Sequence, residues 1–132
     1  FAIESFNQVH HMVSEVTATL KDDVNPFEML LSALPGGSIT GAPKIRAMEI
    51  IDEVEPVKRG IFGGAVGYLG WHGEMDMSIA IRTCVIRENK VYVQAGAGVV
   101  YDSNPESEWN ETQIKARAVI KAVELSSNGL IL

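Results

Sequence analysis

The sequence has few features of secreted, membrane or nucleic-acid-binding proteins. Its 132 residues include a single cysteine, Cys84, which excludes a disulfide framework. No apolar stretch approaches the roughly 18 residues that span a bilayer, and the N-terminus lacks the residue order of a signal peptide. Only 11 Lys and Arg stand against 17 Asp and Glu, a net charge of −6 that argues against nucleic-acid and membrane partners. We therefore expect a soluble cytoplasmic protein.

The composition is that of an ordinary folded domain. Hydrophobic residues make up 46% and charged residues 21% of the chain, close to globular averages. A length of 132 residues suits one domain with its own core, but it is short for an enzyme with several substrates. The chain also begins at Phe1 without an initiator methionine. We therefore expect residues 1–132 to be one unit of a longer polypeptide.

Two features predict structure in the first third of the chain. β-Branched residues recur over residues 9–20, which favours a strand over a helix. Asn25 as a cap, followed by Pro26 at the first helical position, predicts a short helix to about Ala33. A proline and two glycines follow, and they are expected to end this helix.

The middle of the chain predicts a helix and then a sheet. Apolar residues recur at three-residue spacing after Pro43 until Pro56, which predicts the second helix. Three strand-like runs follow, over residues 61–71, 77–86 and 91–101, with short breaks typical of antiparallel hairpins. We therefore expect a three-stranded antiparallel meander, with Cys84 as a buried, reduced thiol.

A long helix is expected near the C-terminal end of the sequence. Ser103 lies three residues before Glu106, the spacing of a capping box, and Pro105 suits the first turn. The helix is expected to run to about Leu125, before the polar tail Ser126-Ser127-Asn128-Gly129. Together the elements predict the α+β class, with helices packed on an antiparallel sheet.

Two glycine-rich segments are candidate ligand sites. The turn over residues 35–44 leads into a helix N-terminus, whose free N–H groups suit a carboxylate or phosphate. A Walker loop is excluded, because its spacing of Gly, Lys and Ser or Thr is absent. Gly96 and Gly98 interrupt the third strand-like run, where bare backbone suits close approach. For both segments the alternative is a tight turn or close packing without a ligand.

The last helix carries the clearest group of charged residues. Glu108, Glu111 and Lys115 share one face, because they are spaced i, i+3 and i+7. Two carboxylates one turn apart can help to hold Mg²⁺, which takes oxygen ligands. The alternative is an exposed face laced with salt bridges.

Three further polar residues lie in strand-like runs. His11 is of the residue type that most often acts as a general acid or base, although a structural histidine is the alternative. Arg82 and Tyr68 need polar partners if buried, and Asp76 is an alternative to a ligand as the partner of Arg82. The residues alone leave three classes open: a metal-dependent enzyme with an anion site, a noncatalytic small-anion binding module, and a structural interface domain.

Four blocks of the sequence resemble a known family in the same order. They are GGSITGAPKIRAMEIIDEVEP, GGAVGYLGWHGEMDMSIAIRT, QAGAGVV followed by DS, and PESEWNET followed by KARA. These blocks resemble segments of the chorismate-binding enzymes, the group of anthranilate synthase component I and aminodeoxychorismate synthase component I. The resemblance spans about residues 11–118. It implies that residues 1–132 are a C-terminal fragment of the chorismate-binding catalytic domain.

The resemblance also implies roles for the candidate residues. Glu108 and Glu111 match carboxylates of a Mg²⁺ site that neutralises the ring carboxylate of chorismate. His11 matches a histidine near the C4 hydroxyl, which leaves during the reaction. Tyr68 and Arg82 match residues that hold the enolpyruvyl carboxylate. The full set of implied substrate contacts is Ser38, Tyr68, Arg82, Gly96, Ala97, Gly98 and Lys115.

The implied reaction is attack on chorismate by ammonia from a glutamine amidotransferase subunit or domain. Amination at C2 with loss of pyruvate gives anthranilate for tryptophan biosynthesis, whereas amination at C4 gives aminodeoxychorismate for folate. We favour anthranilate, because the stretch from VKRGIFGGAVGYLGW through EWNET that resembles anthranilate synthase is the longer one. HHMVS and GGSITGAPK are closer to the other enzyme. Isochorismate and salicylate synthases, which use water, fit less well.

The fragment is expected to behave differently from a complete subunit. Because the family's subunit is much longer, the 132 residues alone are expected to bind metal and substrate partially and to have no turnover. Apolar surface that the rest of the subunit would cover is expected to be exposed and to favour oligomerisation.

Overall fold

The computed structural model describes residues 2–6, 9–127 and 129. In this part of the chain, ten helices and strands confirm the α+β class. Their bounds are β1 Ala2–Phe6, β2 Val9–Val13, α1 Pro26–Ala33, α2 Gly37–Thr40, α3 Lys44–Val54, β3 Ala65–Leu69, β4 Met75–Ile79, β5 Cys84–Arg87, β6 Lys90–Val93 and α4 Pro105–Ser127.

The strands pair as three separate antiparallel hairpins, β1–β2, β3–β4 and β5–β6. The prediction of a continuous meander is therefore wrong, although both of its predicted turns are confirmed. Arg82 has a φ of 52°, which takes the backbone out of the extended region and divides the middle run into β4 and β5. Glu88 and Asn89 have φ values of 52° and 58°, as a two-residue type I′ hairpin turn requires.

The third predicted strand is much shorter than expected. β6 ends at Val93, and residues 94–100 belong to no helix or strand. Val93 pairs with Cys84, the first residue of β5, so no strand residue of β5 lies opposite Gln94 and the residues after it. The glycines that follow are also poor strand formers. Likewise β2 ends at Val13, whereas the strand was predicted through residue 20.

Proline and asparagine account for the starts of α1 and α4. The Asn25 side chain accepts a hydrogen bond from the Phe27 N–H at 2.8 Å, which confirms the predicted cap of α1. In α4 the cap is Asn104, whose Oδ1 accepts from the N–H groups of Glu106 and Ser107, both at 3.1 Å. The predicted Ser103 capping box is wrong, because the Ser103 hydroxyl accepts from the Val100 N–H instead.

The described residues form almost no core of their own. Among the described residues, only Gly63 and Ala80 are buried, and Ala80 has 6% of its surface exposed. Trp71 and Tyr101, by contrast, are fully exposed. Cys84 is a free thiol and is half-buried, which makes it less enclosed than predicted. None of the described helices is long and apolar enough to cross a membrane. The core expected from the chain length is therefore absent from this part of the chain.

Candidate functional site

A pocket of about 160 Å³ gathers most of the predicted substrate contacts. It lies between α2, the segments that follow β4 and β6, and α4. Six of the ten candidate residues line it, namely Ser38, Arg82, Gly96, Ala97, Gly98 and Lys115. Two larger cavities, of about 360 and 580 Å³, share Arg59 and Phe62 with this pocket but contain none of those six residues.

The lining of this pocket is cationic. Arg59, Arg82 and Lys115 line it, and no Asp or Glu is among its lining residues. Within the described residues Arg82 has no ion-pair partner, so the Asp76 pairing considered from the sequence is not formed there. The guanidinium and ammonium groups of such cationic residues suit a carboxylate ligand.

Ser38 reaches the pocket because the short helix α2 is held in place. The Ile39 N–H donates to the Gly36 carbonyl at 3.0 Å, and the Thr40 hydroxyl donates to the same oxygen at 3.1 Å. On its other side, the Ile39 side chain packs on Gly63, where an added Cβ would lie 2.5 Å from Ile39 Cγ2. Gly63 also has a φ of 81°, which favours glycine.

Arg59 is a pocket residue that the sequence reasoning missed. Its Nε lies 3.0 and 2.9 Å from the two carboxylate oxygens of Glu55, and its Nη1 donates to the Ile39 carbonyl at 2.8 Å. The hydrogen bond to Glu55 raises the pKa of Arg59 above its ordinary value, and partial burial opposes this only in part. The available signal was the spacing of Glu55 and Arg59, which places opposite charges four residues apart beyond the end of a helix.

Lys115 joins α4 to the glycine segment. Its Nζ donates to the Gly96 carbonyl at 3.2 Å and forms an ion pair with Glu111. The Phe62 ring approaches the same glycine, with Cζ 3.7 Å from the position of an added Cβ. The prediction that Glu111 and Lys115 share one face of α4 is thus confirmed. Of these two residues, Lys115 lines the pocket.

Glu108 and Glu111 are the candidate metal ligands. They lie one turn apart on α4, and both are partly exposed. The described residues hold no group of three or more His, Cys, Asp and Glu that could bind a metal ion. Mg²⁺ is commonly held by one or two protein carboxylates, together with waters and substrate oxygens, so this pair fits part of such a site.

Tyr68 and His11 lie outside the pocket lining. Tyr68 is on β3 opposite Asp76, and 61% of its surface is exposed. His11 is on β2 opposite Glu4 in the first hairpin. The structure does not bring these two residues to the pocket, and their roles stay predictions.

The chain is similar to known proteins over nearly its whole length. The family model described as chorismate binding enzyme matches residues 1–121. Anthranilate synthase component 1 of Acinetobacter calcoaceticus is 78% identical over 130 residues, covering 98% of this chain and 26% of that protein. Proteins of the same name from Neisseria meningitidis serogroup A and Pseudomonas aeruginosa are 56% and 54% identical over 128 residues, covering 97% of this chain and 26% of each protein. The chain thus spans about a quarter of the length of these relatives. It belongs to the family of chorismate binding enzymes.

Proposed function

We propose that this chain is part of an anthranilate synthase component 1. Together with the rest of such a subunit, it aminates chorismate at C2 and eliminates pyruvate to give anthranilate. The observation that carries the proposal is the cationic pocket, in which Arg82 and Lys115 meet the backbone of residues 96–98. Chorismate has two carboxylates, and a pocket with cations and free of acidic side chains suits such a dianion.

Substrate binding in this proposal uses different groups for different parts of chorismate. Arg82 is free to pair with the enolpyruvyl carboxylate, because it has no ion-pair partner among the described residues. N–H groups near Gly96 and Gly98 add hydrogen bonds without a side chain in the way. The Ser38 hydroxyl and the Lys115 ammonium border the same space.

The chemistry joins an amine to the ring and removes two groups from it. Ammonia attacks C2, and the C4 hydroxyl leaves as water after it accepts a proton, a step that we assign to His11. The C2 proton is then lost as the C3–O bond to the enolpyruvyl group breaks, which makes the ring aromatic, and the released enolpyruvate takes up a proton to become pyruvate. Glu108 and Glu111 would hold Mg²⁺, which neutralises the ring carboxylate when bound. Ammonia is supplied by a glutamine amidotransferase partner.

The Glu111–Lys115 ion pair links metal binding to substrate binding in this proposal. In the structure, the Glu111 carboxylate forms an ion pair with the Lys115 ammonium. A cation bound by Glu111 competes with the Lys115 ammonium for the same negative charge. Lys115 then has more of its charge available to a carboxylate in the pocket, where Gly96 already holds its Nζ.

The exposed apolar surface also supports a role as part of a larger subunit. Large apolar side chains on several elements are more than half exposed, among them Met12, Phe27, Ile45 and Trp109. The relatives are about four times as long as the region that they share with this chain. We propose that the remainder of the subunit packs against these apolar side chains, which water would otherwise solvate at a cost.

The test uses the complete subunit, meaning the polypeptide that contains this segment with the rest of its chain. It is incubated with chorismate, Mg²⁺ and ammonium, and the aromatic product is identified by fluorescence and mass. We expect anthranilate and pyruvate in equal amounts. Glu111→Gln should abolish most of this activity, whereas Glu124→Gln on the same helix should leave it unchanged, because the exposed Glu124 carboxylate pairs with Lys121 and Glu124 is not a lining residue of the pocket.

Each other outcome has a defined meaning. Aminodeoxychorismate as the product would move the amination to C4 and replace the proposed function. A correctly folded subunit that binds chorismate without consuming it would instead support a noncatalytic anion-binding module. Full activity of Glu111→Gln would remove Glu111 from the metal site.

A further inference from the structure

We infer that Arg59 is a positioning residue for the substrate pocket, which holds the Ile39 carbonyl and thereby fixes the α2 turn that carries Ser38. The kinetic part of this inference rests on the proposed function, whereas its structural part does not. Arg59 lies in the segment that joins α3 to β3, 20 residues after the carbonyl that it holds. No other described side chain donates a hydrogen bond to the α2 backbone from outside its own turn.

The guanidinium makes two attachments at once. Nε and Nη2 contact the Glu55 carboxylate, and Nη1 donates to the Ile39 carbonyl. A planar guanidinium with several N–H groups can bridge two acceptors in this way. A lysine ammonium is a point charge on a flexible stem, so it would fix the two acceptors relative to each other less well. Glu55 caps the C-terminal end of α3, since its own N–H donates to the Ile51 carbonyl. Arg59 therefore ties α2 to the end of a stable helix.

Burial separates this contact from an ordinary surface salt bridge. The side chains of Arg59 and Glu55 are 23% and 34% exposed, whereas Arg46, which pairs with Glu49 and Glu53 on α3, is 56% exposed. Exposed ion pairs contribute little, because water and salt screen them. Arg46 lines none of the three cavities described above. It is therefore a matched control for Arg59.

A second contact relates Arg59 to the opposite wall of the pocket. Its guanidinium carbon lies 5.6 Å from the centre of the Phe62 ring, within the range of a cation–π interaction. The same ring approaches Gly96, with Cζ 3.7 Å from the position of an added Cβ, and the Gly96 carbonyl accepts from Lys115. Arg59 and Phe62 thus lie between the Ser38 wall and the glycine wall, and loss of Arg59 should loosen the first wall most.

The experiment compares Arg59→Gln, Arg59→Lys and Arg46→Gln in the complete subunit by hydrogen exchange. Three amides in and directly after α2 report on the turn, because the N–H groups of Ile39, Thr40 and Gly41 are bonded to the carbonyls of Gly36 and Gly37. We expect these amides to exchange roughly tenfold faster or more in Arg59→Gln, less so in Arg59→Lys, and at the original rate in Arg46→Gln. If Arg59→Gln does not fold, Glu55→Gln replaces it, since it weakens the anchor and keeps the guanidinium.

Steady-state kinetics on the same proteins separate positioning from stability. A displaced Ser38 weakens substrate binding, so KM for chorismate should rise about tenfold in Arg59→Gln with kcat nearly unchanged. A merely structural contact would instead lower the active fraction, which reduces kcat and leaves KM unchanged.

The two readouts fail independently. Unchanged exchange of the α2 amides in Arg59→Gln, or an equal increase in Arg46→Gln, overturns the role of Arg59 whether or not chorismate is consumed. Faster exchange with an unchanged KM would keep Arg59 as an anchor of α2 but overturn its role as a positioning residue for the substrate pocket. A wild-type subunit that produces no anthranilate refutes the proposed function alone, because the hydrogen exchange result still decides whether Arg59 fixes α2.

Discussion

Replacement of Gly63 by alanine would test how the fold places the wall of the pocket. Gly63 is buried, has a φ of 81°, and packs on Ile39 so closely that an added Cβ would lie 2.5 Å from Ile39 Cγ2. The left-handed conformation costs a non-glycine residue about 1–2 kcal/mol. Overpacking costs about 1–3 kcal/mol more. We therefore expect Gly63→Ala to lower the free energy of unfolding by about 2–5 kcal/mol, if the two effects add.

Two other glycines separate these costs. Gly60 has a φ of 58° and open space around its Cα, so Gly60→Ala should show the conformational cost alone, about 1 kcal/mol. Gly37, in α2, has neither a left-handed φ nor a neighbour within 4 Å of an added Cβ. Gly37→Ala should therefore be neutral or stabilising by roughly half a kcal/mol.

The assay is urea unfolding of the complete subunit together with hydrogen exchange at Ala80. The Ala80 N–H donates to the Gly64 carbonyl, and the Gly63 N–H donates to the Ala80 carbonyl. Exchange of the Ala80 amide therefore reports on the backbone pairing next to Gly63. The expected order of stability is Gly37→Ala, then Gly60→Ala, then Gly63→Ala. KM for chorismate should also rise in Gly63→Ala, because Ile39 must move and Ser38 precedes it. Equal stability of the Gly60 and Gly63 variants would refute the contact with Ile39.

Three further predictions concern α4 and the second hairpin. Asn104→Ala should destabilise the subunit by about 1 kcal/mol in urea unfolding, because Asn104 caps α4. Ser103→Ala should cost less, and the reverse order would support Ser103 as the cap instead. Lys115→Met should raise KM for chorismate about tenfold or more, since a charged hydrogen bond to the substrate is lost. The control Lys121→Met, at an exposed position of the same helix, should have the KM of the wild type. Equal KM values for the two variants would exclude Lys115 from substrate binding. Gly67→Val should give insoluble protein on expression, because any Cβ there collides with the backbone of the paired strand; a soluble, active variant would contradict the β3–β4 register.

The helices were accessible to sequence reasoning because their signals are local. Pro26 and Asn25 define the start of α1 within three residues, and Pro105 lies at the start of α4 as expected. The error at the α4 cap is also local, since Ser103 and Asn104 are both good capping residues and only the backbone path decides between them. The Ser103 hydroxyl instead closes the turn before the helix.

Long-range contacts were harder to predict, and Arg59 shows why. Its bond to Ile39 joins residues 20 positions apart, and neither helix periodicity nor strand alternation relates such positions. The family resemblance reached Ser38 and Lys115, both of which line the pocket. It assigned nothing to Arg59, because a role that depends on holding another residue's carbonyl leaves no motif of its own.

Two of the three failed strand predictions lie at the walls of the pocket, whereas the third, after Val13, does not. The middle run breaks where Arg82 adopts a positive φ, and the third run leaves the sheet immediately before the glycine segment. A residue whose N–H and C=O groups are bonded to a neighbouring strand has no backbone group left for a ligand. Outside the ladder, Arg82 and the glycine segment line the same pocket. Conflict between local pattern and fold is expected at functional sites, and the conflicts at Arg82 and after Val93 lie at the pocket that the family resemblance also predicts.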